Sequence, residues 1–223
     1  MTFPTFKRLV LNHPMILSAG VCDRLTGQDT SPGSRQELLN QFTRWQKKGL
    51  LIQLRRGMYL LNTNDRRINP SRSYLATQMY TPSYVSLEYA LGVYGLIPER
   101  VEDVTSITTK KTRRIVNELG TFSYQHVTPA VFKGFKAAKD DQALTYFIAE
   151  PEKAVLDFIY FQLARLRTPT DVSSNIFADS YRFQNTEWLK EKRILELAEP
   201  YPSPYMRPLA ELFCQFRREE ATA

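Results

Sequence analysis

Cysteine and histidine are scarce in this chain. Only Cys22 and Cys214 occur in 223 residues, far apart in sequence. A disulfide-built fold is therefore excluded, and the expectation is two reduced, buried thiols. His13 and His126 are the only histidines, and neither has a cysteine pair nearby, so no metal site and no cofactor are expected. Glycine is sparse too. None of the nine glycines is arranged as G-x-x-x-x-G-K or G-x-S-x-G, which removes the phosphate-cradling loop and the nucleophile elbow. No run of about 18 apolar residues is present, so no membrane span is expected. The first residues lack the apolar core of a signal peptide, which points to a cytoplasmic protein.

What is abundant is positive charge, and it is uneven. The net charge is +7. Residues 1–72 carry 12 lysines and arginines against 4 acids, a balance of +8, whereas residues 73–223 carry 18 against 19, a balance of −1. An excess confined to one third of the chain favours nucleic acid as the partner of that third. Hydrophobic residues make up 43%, enough to build a core.

The basic third centres on Ser34 to Leu61. Ser34 and Glu37 have the spacing of a capping box, with Pro32 and Gly33 just ahead. Leu38, Leu39, Phe42 and Trp45 then share one side of a 3.6-residue wheel, and Gly49 is placed to stop the helix. In Leu50–Leu54 and Met58–Leu61 apolar residues recur at every second position, the pattern of half-buried strands. Arg55-Arg56-Gly57 joins the two strands and is expected to leave two cations at the tip. A helix with a polar outer face followed by a cationic hairpin is the layout of a winged helix-turn-helix.

The flanking segments complete that unit. Phe3 to Leu11 is amphipathic and helical, and Pro14 ends it. Met15-Ile16-Leu17 is a short strand that could pair with the hairpin. Ser18 caps a helix over 19–25, Gly27 stops it, and 28–33 form a turn. Polar residues 62–70 close the unit, which sets the expected domains at 1–65 and 66–223, each able to fold alone.

The second part reads as mixed α and β. Helices are expected over 71–80 and from Pro82-Ser83 through Leu91. Val104 to Thr109 is rich in strand formers, Gly120 separates strands 115–119 and 121–127, and 144–148 is another strand. Glu150-Pro151-Glu152 opens a helix with proline and acids in its first turn; its buried stripe is Ala154, Val155, Phe158, Ile159 and Leu163. Residues 168–180 read as a loop, and 186–198 and 207–218 as closing helices. The fold class is thus α+β, a winged helix-turn-helix followed by a mixed α/β domain.

Chemistry follows from side-chain type. With Leu38, Phe42 and Trp45 buried, the helix shows Gln36, Asn40, Thr43, Arg44 and Lys47, whose groups read base edges in a major groove. Arg35 lies nearer the core side and is assigned to phosphate. Arg55 and Arg56 add cations on the hairpin. Glu150, Glu152, Lys153 and Asp157 cluster at one helix start, but the spacing is not that of an acid-x-Lys nuclease, and helix capping explains it better. His126 sits in a strand as a structural residue. Lys110, Lys111, Arg113 and Arg114 form a second basic cluster, read either as a charged strand edge or as a surface for phosphate or an acidic partner.

The chain resembles the AbiEi antitoxin family of bacterial abortive-infection systems over nearly its whole length. The likeness rests on Lys48-Gly49-Leu50, Leu54-Arg55-Arg56-Gly57-Met58-Tyr59, Tyr84 to Leu91, Tyr94 to Pro98, Val104-Thr105-Ser106, Gly120 to Tyr124 and Ala149 to Ala154. The resemblance implies a repressor that binds double-stranded DNA at an inverted-repeat operator of its own operon. It also implies an antitoxin against a cognate nucleotidyltransferase-like toxin, with Lys110, Lys111, Arg113 and Arg114 as the candidate protective surface. A dimer on DNA is left open. The alternatives are a winged-helix transcription factor with a ligand-sensing second domain, and a DNA nuclease.

Overall fold

The computed structural model describes residues 1–17, 32–163, 174–220 and 222, the side chains of 32–35 and 175 excepted. The expected helix over 19–25, its Ser18 cap, Cys22 and most of the turn lie outside the described residues, as does the Arg35 side chain. The fold is α+β, with eight helices and two sheets among the described residues.

The first sheet has three strands in the order β1-β3-β2. Helix α1 (Phe3–Val10) leads to β1 (Ile16–Leu17), and α2 (Pro32–Lys47) leads to the hairpin of β2 (Leu51–Arg55) and β3 (Met58–Leu61). As expected, β1 pairs with the hairpin, antiparallel to β3. Helix α2 begins at Pro32, two residues earlier than the capping-box spacing indicates; proline suits a first helical turn because the N–H it lacks would have no intrahelical partner there. The helix ends where glycine permits: Gly49 has φ +66, and the Leu50 N–H returns to the Trp45 carbonyl at 2.9 Å.

Phe6, Val10, Ile16, Leu38, Phe42, Trp45, Leu51, Tyr59 and Leu61 close the first core. Its aromatic rings interlock. Phe6 and Trp45 lie 4.7 Å apart, and Phe42 stacks on Tyr59 at 5.0 Å.

The hairpin departs from the half-buried expectation. Leu51, Tyr59 and Leu61 face the first core, while Ile52, Leu54, Met58 and Leu60 belong to the large core of the second unit. Strand alternation puts successive side chains on opposite faces, and here both faces are covered. The hydrophobic core therefore continues across the expected division at residue 65. A polar link reinforces it: Asn117 donates from Nδ2 to the Leu54 carbonyl at 3.0 Å.

The second sheet has six strands, ordered β6-β7-β5-β4-β9-β8. These are β4 (Ser83–Val85), β5 (Val104–Thr108), β6 (Arg113–Asn117), β7 (Gly120–His126), β8 (Phe135–Lys139) and β9 (Thr145–Ala149). The sheet is mixed: β4 is parallel to β9 and β5 to β7, and the remaining pairs are antiparallel. Helix α3 (Arg72–Met79) starts at Ser71, whose hydroxyl accepts from the Tyr74 N–H. It is followed by α4 (Leu87–Val93), α5 (Pro151–Gln162), α6 (Asn175–Asp179), α7 (Glu191–Ala198) and α8 (Met206–Glu220).

Five expectations are corrected. Ser83–Val85 is a strand, because a short, fully buried apolar run carries no period that separates strand from helix. The Lys- and Ala-rich β8 was not anticipated. Residues 175–179 form a short helix, and 186–190 precede the last-but-one helix instead of belonging to it. Finally, α5 is buried all round from Pro151 to Ile159, charged residues included.

Candidate nucleic-acid interface

Helix α2 separates its faces as the wheel requires. Leu38, Phe42 and Trp45 are buried, whereas Gln36, Asn40, Thr43, Arg44 and Lys47 are all exposed. Three of these are already engaged along the helix. Gln36 Nε2 donates to Asn40 Oδ1 at 3.1 Å, and the Thr43 hydroxyl donates to the Leu39 carbonyl. Asn40 Nδ2, Arg44 and Lys47 are left presenting donors outward.

The hairpin tip differs from the expectation of two free cations. The turn is Arg56-Gly57, with Gly57 at φ +80; that left-handed conformation is why glycine stands there. Arg56 is exposed. Arg55 lies within β2, opposite Met58, where the register shifts by a bulge. Its side chain is half-buried, and its Nε finds no hydrogen-bond partner among the described residues.

Burial pushes the Tyr124 phenol well above its ordinary range, and the positive charges of Arg55 and Arg113 oppose that rise. The Tyr124 hydroxyl donates to the Ala76 carbonyl at 2.8 Å. Tyr80 packs edge-on against Tyr124 at 5.0 Å. Arg113 lies over the Tyr80 ring at 5.5 Å and Lys110 at 5.6 Å. Thus the exposed cations Lys110, Lys111, Arg113 and Arg114 cluster around edge strand β6, and that strand meets the hairpin where Asn117 bonds to the Leu54 carbonyl. Arg114 alternates to the other face of the strand. His126 is exposed, with Nδ1 3.0 Å from the Lys110 carbonyl. Sequence spacing could not join these two basic segments, which lie more than fifty positions apart.

The acid–lysine group at the start of α5 is committed to the fold. Lys153 Nζ donates to Asp157 Oδ1 and to the Tyr201 hydroxyl, both at 2.5 Å. Asp157 also accepts from Tyr201 (2.7 Å), Tyr84 (3.1 Å) and Ser86 (2.7 Å). All five residues are buried. Burial pushes the Lys153 ammonium below its usual range while Asp157 opposes the shift; burial and the Asp157 charge push the Tyr84 and Tyr201 phenols well up. Glu150 takes a two-pronged bond from Arg193 at 2.8 Å, and Glu152 accepts the Lys190 N–H. The i, i+4 spacing of Lys153 and Asp157 was visible in the sequence; Tyr84, Ser86 and Tyr201, brought in from other elements, were not.

Cys214 is buried, and desolvation pushes its thiol up to about 11. Among the described residues, no group of three His, Cys, Asp or Glu is arranged to hold a metal ion, and no helix is long and apolar enough to cross a membrane. No protein-family model and no curated protein matches this chain.

Proposed function

We propose that this protein is a sequence-specific DNA-binding repressor of its own operon. Its first 65 residues serve as a winged helix-turn-helix, and the remainder acts as an antitoxin against a nucleotidyltransferase-like toxin. The observation that carries the DNA reading is helix α2, anchored by Leu38, Phe42 and Trp45, with Gln36, Asn40, Thr43, Arg44 and Lys47 all turned to solvent. Amide and guanidinium groups on one exposed helix face suit base edges. Arg56 at the hairpin tip suits the phosphate backbone. Arg113 and Lys110 lie over the Tyr80 ring beside a strand that meets the hairpin through Asn117 and Leu54, and backbone contact is the role favoured for them over a purely protective one. The antitoxin role rests on the family resemblance alone.

The test is fluorescence anisotropy on the full chain with the DNA upstream of its own gene. If about five phosphates are neutralised, log affinity falls with log salt at a slope near −4 to −5. Asn40→Ala or Arg44→Ala should cost roughly 1–3 kcal/mol on the preferred site and relax sequence preference. Arg56→Ala should weaken all DNA about equally, because phosphate contacts carry no sequence. A flat salt response would overturn the DNA reading. For the second activity, co-expression with the toxin should restore growth; a folded full chain that never does so removes the antitoxin reading and leaves the repressor reading standing.

A further inference from the structure

On the sheet face opposite Arg113 and Tyr124 lies an open groove of about 170 Å³, between β5 and β7 on one side and the ends of α4 and α5 on the other. Thr105 and Ser123 are neighbours in the parallel β5–β7 register, and Gln125 follows on the same face. Glu88 and Gln162 close one wall, and Leu87 and Phe161 supply the apolar surface. Glu88 is the only charged group in the lining among the described residues.

The groove has a surplus of hydrogen-bond acceptors. Gln162 Nε2 donates to Glu88 Oε1 at 3.0 Å, which leaves Glu88 Oε2 and the Gln162 carbonyl oxygen open. The Thr105 hydroxyl is used twice, donating to the Ser86 carbonyl and accepting from the Tyr89 N–H. The side chains of Ser123 and Gln125 make no hydrogen bond among the described residues. One carboxylate, two amide carbonyls and a hydroxyl beside a phenyl ring suit a cation that offers several donors and an apolar or planar face.

The backbone holds this arrangement in place. Leu87 has φ +58, a conformation that costs a residue with a Cβ roughly 1–2 kcal/mol. Its neighbours fix it there: the Ser86 hydroxyl donates to buried Asp157, the Ser86 N–H to the Thr105 carbonyl, and the Tyr89 N–H to the Thr105 hydroxyl. Such over-determined strain accumulates at binding sites, and this instance sets the turn that leads into Glu88.

We propose that this groove binds a guanidinium group, with Glu88 as the counter-charge, Gln125 and Gln162 accepting from the remaining N–H groups, and the guanidinium plane against Phe161. A guanidinium fits better than an ammonium because its five donors lie in one plane and it stacks on aromatic faces. The same chemistry can come from a free small molecule or from an arginine side chain of a partner protein.

Isothermal titration calorimetry on the full chain separates the sources. Agmatine represents the free molecule and N-acetyl-arginine methylamide the side chain; putrescine is the ammonium control. The expected result is saturable binding of one or both guanidinium probes, tighter than putrescine, and weakened at least about tenfold by Glu88→Gln, the size of one charge-assisted hydrogen bond. The tighter of the two probes identifies the source. If Glu88→Gln lowers the melting temperature, Gln125→Leu, which removes an acceptor at similar volume, must show a loss in the same direction. The proposal is overturned if neither probe saturates, if putrescine binds as tightly, or if a folded Glu88→Gln binds unchanged. It is also overturned if binding appears only in Arg114→Ala, because the groove would then be filled by the chain's own arginine, opposite Ser123 in the β6–β7 register. No DNA is present in these measurements, so their outcome is independent of the repressor reading.

Discussion

Cutting the chain after residue 72 should unfold its basic third. The charge break and the restart of the hydrophobic pattern suggest an independent domain, but the packing of the hairpin argues otherwise. Ile52, Leu54, Met58 and Leu60 are at most 8% exposed and belong to the second core. A fragment of residues 1–72 keeps Leu51, Tyr59 and Leu61 covered and opens those four side chains to water. Full burial of an aliphatic side chain contributes about 1.5–3 kcal/mol. Four of them sum to roughly 6–12 kcal/mol, a range that overlaps the whole stability of a typical domain, about 5–15 kcal/mol. The Asn117–Leu54 hydrogen bond is lost as well. The assay is urea unfolding of the fragment and of the full chain, followed by tryptophan fluorescence; Trp45 is the only tryptophan in the fragment. The fragment should show no cooperative transition and no salt-dependent binding to DNA. Replacing the four outward residues with serine or threonine should improve its solubility, since the face they occupy would then be wet by design. A fragment that melts cooperatively at the midpoint of the full chain would refute the reasoning and restore the independent domain that composition suggests.

Two further outcomes follow from the charged groups. Lys153→Met should cost about 3–5 kcal/mol in chemical unfolding, because it strands the buried Asp157 carboxylate; combining it with Asp157→Leu should cost less than the two single changes together, since no charge remains unpaired, and a loss below about 1 kcal/mol for Lys153→Met would mean that water reaches the pair. Arg193 holds the Glu150 carboxyl below its ordinary value of 4.5, so the folded state binds that proton less readily than the unfolded chain; the stabilisation is fully present above about pH 4.5 and fades as pH falls through the lower folded value. Melting temperatures of the native chain and Glu150→Gln should therefore differ at pH 7 and draw together as pH falls below about 4.5, whereas a gap that is constant as pH falls would assign it to something other than the carboxylate.

Much of the local structure was legible because it depends on short-range chemistry. The buried side of α2, the glycine that ends it, the break between β6 and β7 beside Gly120 and the proline-led α5 all follow from residues within a few positions of one another. The segments that misled were those whose environment overrides local preference. Ser83–Val85 has the composition of a helix start, but it is fully buried between β5 and β9, where only a strand completes the hydrogen-bond ladder. Phe135-Lys136-Ala137-Ala138-Lys139 has little strand propensity and is a strand because β9 offers it a partner edge.

The candidate sites divide in the same way. The sequence alone determines which side chains α2 turns outward, because a 3.6-residue period and three bulky apolar residues leave only one face to bury. Met58 to Leu61 is apolar at every position, the pattern of a strand covered on both faces, but the sequence cannot say which core covers each face. Tertiary structure decided that Arg55 is half-buried within β2 instead of standing free at the tip, that β6 meets the hairpin, and that Lys153 and Asp157 are closed over by Tyr84, Ser86 and Tyr201. It also decided that Glu88, Gln125 and Gln162 share one groove. Each of these arrangements joins residues from separate elements, and contacts of that kind are fixed by how helices and strands pack, which no local window of sequence contains.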